Sequence, residues 1–320
     1  MAQQRGSRKL TRADVLVAVI TCLLLILLVP VLFAKPREAS VRRLCAANLA
    51  QIGKAMLVYA SDNEGDLPRA GGPTTVWGTM PAMGWRATDR RMAFGLAADY
   101  TGGWVSISSS LYLLVKYEQM TPRAFVCKGD KGTTEFKLSD RTDVWKSFEL
   151  ADAWDFGPPD EAFRHCSYAY HIPYGIYALN TSLDPNLAVA ADRNPWIISP
   201  AADPAIWVNF RPDIAIFPGW TPGASDQARQ GNSVTHRLDG QNVLFLDGRV
   251  TFERRAYCGV DKDNIYTVST DTTGRGAPYG VMPMASSMCT PMNRKDSLLV
   301  HDPDSFGYTA TKNYTGTKKR

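Results

Sequence analysis

The residues best suited to chemistry lie close together between positions 236 and 248. His236, Asp239 and Asp247 are the side chains in this stretch that could bind a metal ion or transfer a proton. A metal site needs three or four ligands held by further polar contacts, and Asp247 is already explained as a turn residue because Gly248 follows it. We therefore expect His236 to hydrogen-bond the backbone of the following hairpin, and we predict no metal ion.

Two other groups of residues invite a functional interpretation. Asp261, Asp263 and Asn264 could belong to a calcium loop, but no run of alternating acidic residues closed by a glycine surrounds them. His165 and Cys166 could be a base and a nucleophile, yet neighbouring residues on a strand point to opposite faces. No Gly-x-Ser-x-Gly elbow, phosphate-binding glycine loop or His-Glu-x-x-His motif occurs. We predict a protein without catalytic activity and without a cofactor.

The chain contains six cysteines. Cys22 lies within an apolar run and is expected to be an ordinary apolar side chain. The other five are Cys45, Cys127, Cys166, Cys258 and Cys289. Their number is odd, so at least one must stay free or pair between chains, and their spacing fits no zinc pattern. We expect disulfides between Cys127 and Cys166 and between Cys258 and Cys289.

A β-hairpin is the clearest element that could position His236. It runs from Asn242 to Arg254, with Asp247-Gly248 favouring a type I′ turn. Alternation in its second strand places Val250 and Phe252 on one face. The other predicted elements are a helix over Ser108–Met120 and strands over Ala124–Cys127, Ser167–Tyr174, Leu187–Asp192 and Ile206–Phe210.

The N-terminal region begins with an uncharged apolar run from Val15 to Ala34. A span of about 20 helical residues crosses the hydrocarbon core of a bilayer, about 30 Å thick. A cleaved signal peptide is the alternative, but its apolar part is shorter, and Leu32 stands where a small residue would precede the cleavage site. The preceding basic residues place the N-terminus in the cytoplasm. We therefore predict a single-pass signal-anchor in the inner membrane, with a periplasmic or cell-surface domain.

The sequence after this run predicts an amphipathic helix. Its apolar residues recur every three or four positions and form one stripe: Cys45, Leu49, Ile52, Met56 and Tyr59. Arg43, Gln51 and Lys54 point elsewhere, and turn-forming residues end the helix near Ser61–Gly65. The stripe predicts core packing of this helix in a folded domain.

Composition limits the classes of partner and the domain organisation. The chain has 36 basic and 31 acidic residues, and the surplus lies largely at the two ends without interleaved aromatic residues. This pattern does not favour nucleic-acid binding. We predict a cytoplasmic segment (1–14), a transmembrane helix (15–34), an exported α+β domain (35–268) and an irregular C-terminal extension (269–320).

Four segments together resemble the type IV pilins and type II secretion pseudopilins, in particular the large bacterial subgroup with a C-terminal His…Asp-Gly signature. They are Val15–Ala34, Arg37–Pro68 (REASVRRLCAANLAQIGKAMLVYASDNEGDLP), Thr121–Asp130 (TPRAFVCKGD) and Asn232–Phe252 (NSVTHRLDGQNVLFLDGRVTF). In this sequence the signature residues are His236, Asp247 and Gly248. The resemblance implies a pilin-like fold, in which a long transmembrane-plus-amphipathic N-terminal helix packs on an antiparallel β-sheet.

The resemblance also identifies residues for processing and assembly. Prepilins of the family have a glycine before the mature N-terminus and a glutamate five residues into the mature helix. Lys9 occupies the glycine position here, Leu10 is the mature start and Asp14 takes the glutamate position, while Pro30 matches a helix-kinking proline. Asp14 has a second explanation, because it can cap the helix together with Thr11.

Two functional hypotheses follow from the sequence. The first is a membrane-anchored, pseudopilin-like structural subunit of a type II secretion or filament-like assembly. Its partners would be the membrane and pilin-like subunits or copies of itself, bound through the N-terminal helix. The alternative is a permanently anchored module that binds a ligand, such as a glycan, through some of its eight tryptophans.

Overall fold

The computed structural model describes residues 11–200, 205–284, 289–304 and 306, with the backbone alone for residues 27–37. Lys9 and Leu10 lie outside the described residues, and Pro30 is described in its backbone only. The chain divides into two compact units, Met1–Val41 and Arg42–Arg320.

Helix α1 spans Arg12–Asp62. Its first turn is closed by a capping box, in which the Thr11 backbone N–H and hydroxyl donate to Asp14 Oδ2 at 2.9 and 2.8 Å. The Asp14 N–H donates in return to the Thr11 hydroxyl at 3.3 Å. The interpretation of Asp14 as a helix cap is thus confirmed, and these hydrogen bonds lower the pKa of its carboxyl.

The prediction of a membrane-spanning segment over residues 15–34 is wrong. In the parts of the chain that the structure describes, no helix combines the length and the apolar character needed to cross a membrane. This finding contradicts three predictions: the fold class with a transmembrane-plus-amphipathic helix, the signal-anchor, and the single-pass location in the inner membrane.

The apolar stripe in the later part of α1 is confirmed. Its five residues are buried, whereas Arg43, Gln51 and Lys54 are exposed. Gly53 allows close packing on the sheet, because a Cβ at this position would come within 2.7 Å of the Leu244 side chain. The helix ends at Asp62, as the turn-forming residues predict, and Gly65 follows with φ of +89°.

The central sheet is antiparallel and five-stranded. A separate parallel pair precedes it, β1 (Val76–Trp77) with β2 (Trp104–Val105). The sheet consists of β3 (Tyr168–His171), β4 (Ala188–Asp192), β5 (Gln241–Phe245), β6 (Val250–Glu253) and β7 (Leu299–Val300). Its order is β6-β5-β4-β3-β7. The predicted strands over Ser167–Tyr174 and Leu187–Asp192 and the predicted hairpin are therefore confirmed.

The hairpin turn differs from the predicted type I′ turn. Of Asp247 and Gly248, only Gly248 has a positive φ, +84°. The Gly248 N–H donates to the Phe245 carbonyl at 2.9 Å, and the Phe245 N–H donates to the Arg249 carbonyl at 3.0 Å. This three-residue loop is a type I turn followed by a glycine bulge, so its third residue, Gly248, is the one that requires glycine.

One strand of the sheet lies within the predicted C-terminal extension. Residues 269–320 were expected to be an irregular extension, but β7 pairs with β3 at the edge of the sheet. Leu298, Leu299 and Val300 are fully buried. Three apolar residues are too few to show a periodicity in the sequence, which is why the strand was not predicted. Its formation depends on pairing with β3.

Three further helices complete the α-helical elements of the described residues. They are α2 (Arg90–Phe94), α3 (Ile107–Lys116) and α4 (Ser225–Arg229). Helix α3 agrees with the predicted Ser108–Met120 helix and is capped by the Ser106 hydroxyl. The predicted strands over Ala124–Cys127 and Ile206–Phe210 are wrong, because 3₁₀ turns form over Pro122–Phe125 and Trp207–Asn209. Proline at the first position favours such a turn.

Candidate functional site

Four side chains from separate parts of the chain meet beside the sheet. Cys45 comes from α1, Cys127 follows a 3₁₀ turn, Asp192 ends β4 and His236 ends the turn before β5. One potential ligand atom from each lies within 4.8 Å of the others. All four side chains are at most 1% exposed. We call these residues the Cys-Asp-His cluster.

Cys45 and Cys127 are joined by a disulfide that closes a loop of 82 residues. The predicted bonds between Cys127 and Cys166 and between Cys258 and Cys289 are wrong, since Cys166, Cys258 and Cys289 are free. The bond instead ties the buried stripe of α1 to the segment after α3. The sequence could not reveal this pair, because it depends on how the helix lies against the sheet.

His236 is oriented by side chains rather than by the hairpin backbone. Its Nε2 lies 3.2 Å from Asp192 Oδ2 and 3.2 Å from the Asn242 side-chain nitrogen. Its ring makes an edge contact with Phe252, with 6.0 Å between the centroids. The expected hydrogen bond from His236 to the hairpin backbone is therefore wrong, and the imidazole belongs to a buried polar network.

Asp192 is the centre of this network. Its Oδ2 accepts hydrogen bonds from the Asn242 backbone N–H at 2.7 Å and from the Asn242 side-chain amide at 3.1 Å. The Tyr266 hydroxyl donates to the Asp192 backbone carbonyl at 2.7 Å. These contacts fix the carboxylate beside His236 and follow directly from the pairing of β4 with β5.

Two polar atoms of the cluster lack a hydrogen-bond partner among the described residues. They are His236 Nδ1 and Asp192 Oδ1. A buried polar atom without a partner costs free energy, and one explanation for such atoms is an ion bound between them. The cluster therefore has the side-chain types of a metal site and two buried polar atoms without a partner among the described residues.

The other acidic residues near the signature lie outside the cluster. Asp239 receives hydrogen bonds from Arg42 and Arg229, both at 2.7 Å. Asp247 accepts the Arg249 backbone N–H at 3.0 Å and pairs with the guanidinium of the same residue. Asp247 and Gly248 thus form the turn, as predicted.

The calcium interpretation finds no support in the described residues. Asp261 pairs with Lys295 at 2.8 Å, and Asp263 is fully buried, accepting backbone N–H groups from Ala277 and Ser297. Burial, with the nearby Asp296 carboxylate, raises the pKa of Asp263. Side chains that cap loops in this way do not converge on a shared cation.

His165 and Cys166 do not form a catalytic pair. His165 Nδ1 lies 2.9 Å from the Thr134 carbonyl, and Cys166 Sγ contacts the Tyr168 carbonyl at 3.7 Å. Burial raises the pKa of the Cys166 thiol to about 12, which keeps it protonated at neutral pH.

Comparison of the chain with protein-family models, with curated proteins and with solved structures gives no match.

Proposed function

We propose that this protein is a pseudopilin-like structural subunit of a type II secretion or filament-like assembly. It would associate with further copies of itself or with pilin-like subunits through the first turns of α1. The observation that supports this proposal is the exposure of every side chain from Val15 to Ile26.

Nine large apolar side chains lie on this part of α1, each about half to two-thirds exposed. They are Val15, Leu16, Val17, Val19, Ile20, Leu23, Leu24, Leu25 and Ile26. A helix that is apolar on all sides is stable only when it is covered. Lateral packing against the same helix of neighbouring subunits would cover it.

Two features favour a structural role over ligand binding or catalysis. Trp77, Trp85, Trp154 and Trp196 are buried, which leaves four of the eight tryptophans for the alternative of a glycan-binding surface. His236 is fully buried within the Cys-Asp-His cluster, so a substrate cannot reach its imidazole.

Self-association of the full-length chain tests this proposal. We expect the wild type to form concentration-dependent oligomers in analytical ultracentrifugation and short filaments in negative-stain electron microscopy. Leu16→Glu with Leu24→Glu should remove both, because charges in a packed helix seam are costly. Lys54→Glu, on the exposed side of the same helix, is the matched control. A wild type that remains monomeric, or oligomers unaffected by the double substitution, would overturn the proposal.

A further inference from the structure

The Cys-Asp-His cluster combines the three side-chain types that bind zinc in proteins. Thiolates, imidazole and carboxylate hold Zn²⁺ at about 2.0–2.3 Å. In a tetrahedral site, ligand atoms are therefore about 3.3–3.8 Å apart. The four potential ligand atoms all lie within 4.8 Å of one another, so the set is compact enough for one ion once the bond between the two sulfur atoms is broken.

Two polar atoms of the cluster are free, within the described part of the chain, to bind an ion. A neutral imidazole has one unprotonated ring nitrogen, which is the atom through which histidine binds a metal ion. His236 Nδ1 and Asp192 Oδ1 are both buried and have no hydrogen-bond partner among the described residues. The Gly129 N–H lies 3.4 Å from Cys127 Sγ and can stabilise a thiolate there.

We propose that Cys45, Cys127, Asp192 and His236 bind one zinc ion when the disulfide between the two cysteines is reduced. A dithiol reductant supplies two electrons and two protons, breaks the S–S bond and is itself oxidised to a disulfide. Zinc binding then releases both thiol protons. All four ligands come from the protein and are buried, so the site is closed and structural rather than catalytic.

The zinc ion would replace a covalent connection by a coordinate one. In the oxidised chain, the disulfide joins α1 to the segment after α3. In the reduced chain, the ion would connect the same two segments and also bind the end of β4 and the turn before β5. The core could thus persist in either redox state. This inference goes beyond the proposed assembly and does not depend on it.

Cobalt substitution tests the site directly. The full-length chain is reduced with a dithiol, freed of reductant by gel filtration under nitrogen and titrated with Co²⁺. We expect one equivalent to bind, with thiolate-to-cobalt charge-transfer absorption and the visible bands of tetrahedral Co²⁺. Zn²⁺ should displace it and abolish the absorption. Cys45→Ser and His236→Gln should lose the signal, whereas Cys258→Ser, at a free cysteine outside the cluster, should retain it.

The wild type alone provides a second measurement if a variant does not fold. Zinc should raise the thermal unfolding midpoint of the reduced chain and leave that of the oxidised chain unchanged. The proposal is wrong if the reduced wild type shows no thiolate-to-cobalt absorption. It is equally wrong if folded Cys45→Ser retains that absorption, or if zinc shifts the midpoints of both redox states alike.

Discussion

Asp155 and Asp302 accept hydrogen bonds from the same residue, Ser108, in the interior of the protein. The Ser108 hydroxyl donates to Asp155 Oδ2 at 3.1 Å, and its backbone N–H donates to Asp302 Oδ2 at 2.8 Å. The Trp77 indole N–H adds a bond to Asp302 at 3.0 Å, and the Ser106 hydroxyl donates to Asp155. Two acidic side chains are thus buried together at the N-terminus of α3.

This pair predicts a specific pH dependence of stability. Burial, and secondarily the Asp302 charge, raises the pKa of Asp155 to about 7. The pKa of Asp155 is higher in the folded chain than in the unfolded chain. Protonation of this carboxyl therefore stabilises the folded state. Its contribution is complete below about pH 4 and is lost as the pH rises through about 7, amounting to about 4 kcal/mol at most.

Asp155→Asn isolates this effect. Asparagine stays neutral and can still accept the serine hydroxyl bonds through its carbonyl oxygen. We expect the free energy of unfolding of the variant, measured with urea, to rise relative to the wild type between about pH 4 and pH 7 and to level off above. A difference between the two proteins that does not change with pH would contradict the assignment.

The disulfide predicts a large contribution to stability. Cys45→Ser with Cys127→Ser opens a loop of 82 residues in the unfolded chain. In the chain-entropy description, we expect a loss of about 4 kcal/mol in the free energy of unfolding, measured with urea in a metal chelator. Cys258→Ser should cost far less, since Cys258 is unbonded and only partly buried. Equal losses would show that the bond does not stabilise the fold.

Substitution of Gly248 in the hairpin turn is expected to lower stability through backbone strain alone. Gly248 has φ of +84°, and a Cβ there would meet only Leu57 Cδ1, at 3.7 Å. Gly248→Ala should therefore lower the free energy of unfolding by about 1 kcal/mol without a clash, while Gly248→Asn should cost less. Urea denaturation of both variants tests this, and equal losses for alanine and asparagine would point to packing instead.

The hairpin and the Cys-Asp-His cluster show what the sequence can and cannot predict here. The hairpin, the stripe on α1 and the Asp14 cap depend on residues a few positions apart, and their patterns are visible in the sequence. Asp192 meets His236 only because β4 pairs with β5. Such long-range pairing leaves no local pattern, and it also decides the position of β7 and the partner of Cys45.

The largest loss of stability from removing a single charge is expected at the ion pair between Arg193 and Asp130. Both side chains are fully buried, with Arg193 Nε 2.7 Å from Asp130 Oδ2. Arg193 also donates to the carbonyls of Phe163 and Cys166 at 2.6 and 2.5 Å. The guanidinium therefore joins two segments, at Asp130 and at 163–166, and its ion-pair partner among the described residues is Asp130.

Asp130→Asn keeps the shape of the side chain and removes that balancing charge. A buried, uncompensated guanidinium should lower the free energy of unfolding by about 3–5 kcal/mol. Lys295→Ala breaks the ion pair with Asp261, in which both side chains are more than 40% exposed, and should cost less than about 1 kcal/mol. Urea denaturation at low and high salt separates the two cases, because salt screens the exposed pair and leaves the buried one unaffected. If Asp130→Asn costs no more than Lys295→Ala, then Arg193 is held by the backbone carbonyls alone.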